Sequence, residues 1–154
     1  MTTTPDGLRT ACWDIPHDPA AVGRARDTIK ETLAGWGLRD LTDDVLLAAG
    51  ELLGNAVSHG APPIRLSLWA TGIDLCVRVT DHGTGRPRRL DLGPEAVHGR
   101  GLAIVAALAD QFGVIPLPEG PGKTVWARWL LRGTGTQAAQ PVIGLSRGGE
   151  SDDL

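Results

Sequence analysis

Only two cysteines occur in the 154 residues, Cys12 and Cys76, and neither has a partner at metal-ligand spacing. That excludes a disulfide-stapled or zinc-held scaffold. Both thiols are expected to be reduced, buried in apolar surroundings and inert, which suits a cytoplasmic protein. Positive charge is short as well: 15 Lys and Arg against 18 Asp and Glu leave a formal charge of −3 and a pI near 5.7. Such a chain has no long-range attraction for polyanions, so direct nucleic-acid or anionic-membrane binding is disfavoured. No apolar run approaches the ~20 residues of a membrane span. Met1 to Leu8 is polar with Asp6 its one charge, so no signal peptide is expected. Hydrolase nucleophile motifs and HExxH spacing are absent, and His59, His82 and His98 are dispersed, which gives a metal-ligand cluster little support.

What is present is globular. Hydrophobic residues make up 42 %, charged residues 21 %, and glycine fills 21 positions. A chain of 16.2 kDa is one domain that buries roughly two-thirds of its unfolded surface.

Leu8 to Ile15 has strand composition and stops at Pro16. Asp18 and Pro19 look like an N-cap and first helical residue, after which Val22, Ala25, Ile29 and Leu33 keep helical spacing as far as Gly35 and Gly37. A second helix opens at Asp40 or Thr42 and runs to about His59, closed by Gly60, Pro62 and Pro63. Ile64 to Ala70 and Ile73 to Thr80 alternate apolar with polar residues across Thr71-Gly72, the pattern of a half-buried antiparallel hairpin. Asp81 to Arg100 is a Gly-, Pro- and Arg-rich loop of functional length. An apolar helix over Gly101 to Phe112 and a second hairpin, Gly113 to Pro118 with Lys123 to Leu131, complete the order β-α-α-β-β-loop-α-β-β. This order indicates an α+β sandwich, one sheet covered on one face by three helices. Residues 1–7 are expected to form a flexible N-terminus, 8–131 the domain, and 132–154 a disordered tail.

Three places carry chemistry. On the second helix Asp44, Glu51, Asn55, Ser58 and His59 share one side, opposite Val45, Leu46, Ala49, Leu52, Leu53, Ala56 and Val57. A Glu and an Asn one turn apart can polarise a hydroxyl and hold a hard cation such as Mg²⁺; the alternative is a solvated polar face. Asp81 ends a strand and leads into His82-Gly83-Thr84-Gly85, where a buried carboxylate can accept from the amino group of a purine and the glycines admit a ligand. The alternative is an Asp-Gly turn without a ligand. Gly99-Arg100-Gly101 opens the third helix, whose free N–H groups attract phosphate, with Arg86, Arg88 and Arg89 upstream. Two patterns fail. Gly122-Lys123-Thr124 ends like a P-loop, but the first glycine would fall at Leu117 and the segment enters a strand; GxGxxG fails because Gly99 and Gly101 are followed by Ile104.

In chain order the motifs are Glu51-x-x-x-Asn55-Ala56, Asp81-x-Gly83-x-Gly85, Gly99-x-Gly101-Leu102 and Gly122-Lys123-Thr124. The series resembles the N, G1, G2 and final boxes of the GHKL ATPase superfamily over Leu8 to Leu131. Within it, ELLGNAVSHG, GRGLAIVAALAD and GKTVWARW are most similar to the bacterial anti-sigma factor serine/threonine kinases. The resemblance implies a Bergerat-type ATPase sandwich with a mixed, mainly antiparallel sheet, binding ATP and Mg²⁺ under a lid. It further implies transfer of the γ-phosphoryl group to a serine or threonine of an anti-sigma factor antagonist, capture of a sigma factor, and a homodimer.

By motif position Glu51 becomes the general base and Asn55 the Mg²⁺ ligand. Asp81 takes the adenine amino group, with Gly83 and Gly85 shaping the turn beside it. Gly99, Arg100, Gly101 and Leu102 line the phosphates, Thr124 backs the adenine pocket, and His59 and Arg86 complete the nucleotide-binding set. Departures from the family wording are Val97 where Glu is frequent, Gly54 where Thr is common, and a lid without lysine.

Two other readings stand beside the kinase. One is a module of the same fold that regulates by stoichiometric binding. The other is a histidine-kinase catalytic domain, which needs a partner carrying the phosphoacceptor histidine. With the domain filling the chain, signal and substrate are expected on other proteins.

Overall fold

A computed structural model describes residues 2–3, 7–84 and 97–131. Its elements in chain order are β1 (Thr2–Thr3), β2 (Arg9–Ile15), α1 (Ala20–Gly35), α2 (Thr42–His59), β3 (Ile64–Ala70), β4 (Asp74–Asp81), α3 (Val97–Leu108), β5 (Gln111–Pro116) and β6 (Lys123–Leu130). Asp18 starts α1 by accepting the Ala20 N–H on Oδ1 at 3.0 Å, with Pro19 at the step where a missing N–H costs nothing. Ala21, Ala25, Ile29 and Leu33 then recur on one buried stripe. The helix stops at Gly37, whose φ of +77° lets the Leu38 N–H return to the Leu33 carbonyl at 2.9 Å. A 3-10 turn, Arg39–Leu41, leads into α2, which buries Val45, Ala48, Ala49, Leu52, Leu53, Ala56 and Val57.

The sheet runs β1-β2-β3-β4-β6-β5. Period-2 alternation gives it two faces. Ile64, Leu66, Leu68, Leu75, Val77, Val79, Val125, Ala127 and Trp129 are buried, and α1, α2 and α3 pack on that side. Polar residues alternate with aromatic and aliphatic ones on the other. There the Arg78 guanidinium lies 4.1 Å from the Trp69 ring centroid, and the Trp126 ring lies so close over Gly113 that a Cβ would come within 2.8 Å of it. A groove of about 630 Å³ runs along this outer face past Trp69, Arg78, Trp126 and Ile115. Among the described residues no helix is long and apolar enough to cross a membrane.

The α+β sandwich is as expected, with four differences in detail. Every described strand pairing is antiparallel, where a mixed, mainly antiparallel sheet was expected. Thr2–Thr3, assigned to a flexible N-terminus, pair with Thr10 and Arg9. The third helix covers Val97–Leu108 instead of Gly101 to Phe112, and Gln111 and Phe112 already belong to β5. The cause is Asp110: its N–H donates to the Arg128 carbonyl at 2.9 Å and its carboxylate accepts the Leu130 N–H at 2.7 Å, which commits the chain to the sheet. Cys12, expected to be buried, is exposed, because Ala11 and Ile15 take the core side of β2 and leave Cys12 on the outer face. Cys76, also expected to be buried, is half-buried on the same face, where burial pushes its thiol pKa up. The expected turn residue Gly85, the expected lid residues Arg86, Arg88 and Arg89, and the tail 132–154 lie outside the described residues.

Candidate functional site

Asp81 is the one acidic residue that the described core encloses. It continues the inward parity of Leu75, Val77 and Val79 one step past the apolar run, and it is 2 % exposed. Burying a carboxylate is costly unless both oxygens are satisfied. Here Oδ1 accepts the Gly83 N–H at 2.8 Å and Oδ2 accepts Lys123 Nζ at 3.1 Å. Three glycines give it space. A Cβ on Gly60 would lie 2.4 Å from Asp81 Cγ, one on Gly83 would lie 2.9 Å from Gly60 Cα, and one on Gly122 would lie 2.5 Å from the Asp81 carbonyl oxygen. Gly122 also has φ +125°, a backbone that side chains avoid.

The same contacts fasten the end of α2 to the end of β4. The His82 N–H donates to the Ala61 carbonyl at 2.9 Å, and the Gly60 N–H closes α2 on the Ala56 carbonyl at 2.9 Å. Glu51 and Asn55 are half-buried on the side of α2 away from its apolar stripe, while Ser58 and His59 are exposed. Counting back from Gly60 at ~1.5 Å per residue, Asn55 stands about 7 Å and Glu51 about 13 Å along the helix from the Asp81 end.

Gly99 and Arg100 fall in the first turn of α3, whose N–H groups have no intrahelical carbonyl, and Gly101 follows them. Leu102 is 6 % exposed and packs in the core with Val105, so its side chain fixes α3 in place. Thr124 stands apart from the group. It pairs with Thr80 on the outer face, Oγ1 to Oγ1 at 2.7 Å, whereas Lys123 shares the inward face with Asp81. The sequence reading placed Lys123 in the failed P-loop pattern and in the last of the four motifs but gave it no role. The signal was the parity of Val125, Ala127 and Trp129, which places residue 123 inward and 124 outward.

Among the described residues no cluster of three or more His, Cys, Asp or Glu side chains is placed to hold a metal. Mg²⁺ asks for less: one or two protein oxygens, with phosphate and water supplying the rest. The amide oxygen of Asn55 and the carboxylate of Glu51, half-buried and one turn apart, are hard donors of that kind.

No curated protein matches the chain. It is similar to a crystal structure of the RsbU and RsbW domains of Rv1364c from Mycobacterium tuberculosis, with a TM-score of 0.59 at 20 % identity, covering 79 % of this chain. At that identity the likeness is one of fold, and this chain spans only 32 % of that one. Residues 15–129 match the histidine kinase-like ATPase domain, a span that runs from the end of β2 into β6 and takes in Glu51, Asn55, Asp81 and the start of α3. The chain belongs to the histidine kinase-like ATPase family.

Proposed function

We propose that the chain is an ATP-dependent protein serine/threonine kinase that phosphorylates an anti-sigma factor antagonist and, in the alternate state of the switch, sequesters a sigma factor. Membership of an ATPase family supports ATP as the substrate. The observation that carries the site is the buried Asp81 carboxylate, 2 % exposed at the end of β4, where Gly60 and Ala61 bring the end of α2 against it.

Asp81 accepts from the amino group of adenine, and the free N–H groups of the first turn of α3 receive the phosphates. Asn55 would offer its amide oxygen to Mg²⁺, which when bound neutralises charge on the phosphates. Glu51 takes the proton of the substrate hydroxyl as its oxygen bonds to the γ-phosphorus and the bond to the ADP oxygen breaks. Phosphoryl transfer relies on positioning and charge stabilisation, and these residues supply both. A cytoplasmic homodimer completes the proposal, with the part of β2 beyond its short pairing to β1 as its pairing strand.

The test is transfer of radiolabelled γ-phosphate to candidate antagonists in the presence of Mg²⁺. The wild type is expected to label a serine or threonine, and Asn55→Ala to lose most of the transfer. Binding of ATP with no transfer to any antagonist replaces the kinase by a stoichiometric regulator of the same fold.

A further inference from the structure

Lys123 sits directly across from Asp81 in the register of β4 and β6, and the two side chains share the helix-facing side of the sheet. The ammonium is well withdrawn from water, at 15 % side-chain exposure against 3 % for Asp81. Its hydrogen bond goes to Oδ2, while the Gly83 N–H holds Oδ1. One anchor would leave the carboxylate free to turn about its Cβ–Cγ bond; two anchors on different oxygens fix its plane. An ionised carboxylate offers about four acceptor positions and no donor, so two remain after these bonds. Among the described residues nothing further donates to it, so a donor on a bound ligand can take either position.

Resting on the reading of Asp81 as the acceptor for the base, we propose that Lys123 is a positioning residue for nucleotide recognition. It holds the Asp81 carboxylate aimed, so that the carboxylate takes the exocyclic amino group of the purine. Lys123 acts through Asp81 and does not itself touch the triphosphate: its nitrogen is engaged at the base end, whereas Glu51 and Asn55 stand farther along α2. The neighbouring threonine cannot substitute, since Thr124 is bonded to Thr80 on the opposite face.

The test compares dissociation constants for ATP and for purine riboside triphosphate, which lacks the 6-amino group, measured by calorimetry on the full chain. The wild type is expected to prefer ATP, and Asp81→Asn to abolish the preference. Lys123→Met is expected to lose ATP affinity by about ten- to hundredfold while its affinity for the desamino nucleotide stays within about twofold. Lys123→Gln, which keeps one neutral donor on the carboxylate, serves if the Met variant does not fold, with an intermediate loss confined to ATP. Equal losses for both nucleotides, unchanged affinities, or tighter ATP binding on removal of Lys123 overturns the proposal. A wild type that does not distinguish the two nucleotides, together with an Asp81→Asn variant that binds ATP normally, overturns instead the reading of Asp81.

Discussion

Glu51→Gln is expected to slow phosphate transfer by about 10²–10⁴-fold, the range of a lost general base, with ATP affinity changed by no more than a few-fold. The separation follows from where Glu51 stands. It is half-buried on the face of α2 that points away from Val45, Leu52 and Leu53, about 13 Å along the helix from its Asp81 end. Gln keeps the size and one oxygen, so packing is preserved and stability is expected to move by less than about 0.5 kcal/mol. Only the capacity to take a proton is lost. Single-turnover transfer to a phosphoacceptor, measured beside ATP binding on the same preparation, reads both quantities. Transfer at the wild-type rate would remove Glu51 from the chemistry.

Gly60→Ala is expected to destabilise the fold by about 2–5 kcal/mol and to abolish nucleotide binding. The backbone conformation is not the reason, since φ −99° and ψ −162° suit any residue. Space is. The new methyl would stand 2.4 Å from Asp81 Cγ, 2.5 Å from Asp81 Oδ1 and 2.7 Å from the Ala56 carbonyl oxygen. Either the carboxylate leaves the Gly83 N–H and Lys123, or the end of α2 lifts from β4; both disturb the only buried carboxylate among the described residues. Gly54→Ala, one and a half turns earlier in the same helix, is the control with the opposite sign. Nothing lies within 4 Å of a Cβ there, and helix propensity favours Ala by up to about 1 kcal/mol. Urea unfolding of the two variants side by side is expected to move the midpoint in opposite directions. A neutral Gly60→Ala would mean that α2 and β4 are not joined through this contact.

Much of the architecture was legible because local signals agreed with one another. Asp18-Pro19 and Gly37 bracket α1, and Ile64–Ala70 alternates cleanly, so cap chemistry and parity located these elements without tertiary information. The misreadings arose where a distant partner decides. Gln111 and Phe112 follow an apolar helical run, and only the bonds of Asp110 to β6 turn them into a strand. Cys12 looks like a core residue by type, yet its place between Ala11 and Trp13 puts it on the exposed face. In the candidate site, Glu51, Asn55 and Asp81 were legible as motif residues. Lys123 was not, because its meaning depends on the pairing of residue 123 with residue 81, which neither strand encodes alone.

The most direct measurement is the affinity of the wild-type chain for ATP with and without Mg²⁺, by equilibrium dialysis or calorimetry. Saturable one-to-one binding, tightened by Mg²⁺ and weakened in Asn55→Ala and Asp81→Asn, is the expected result. Absence of binding at millimolar ATP in the presence of Mg²⁺ would contradict both the site at Asp81 and the proposed kinase.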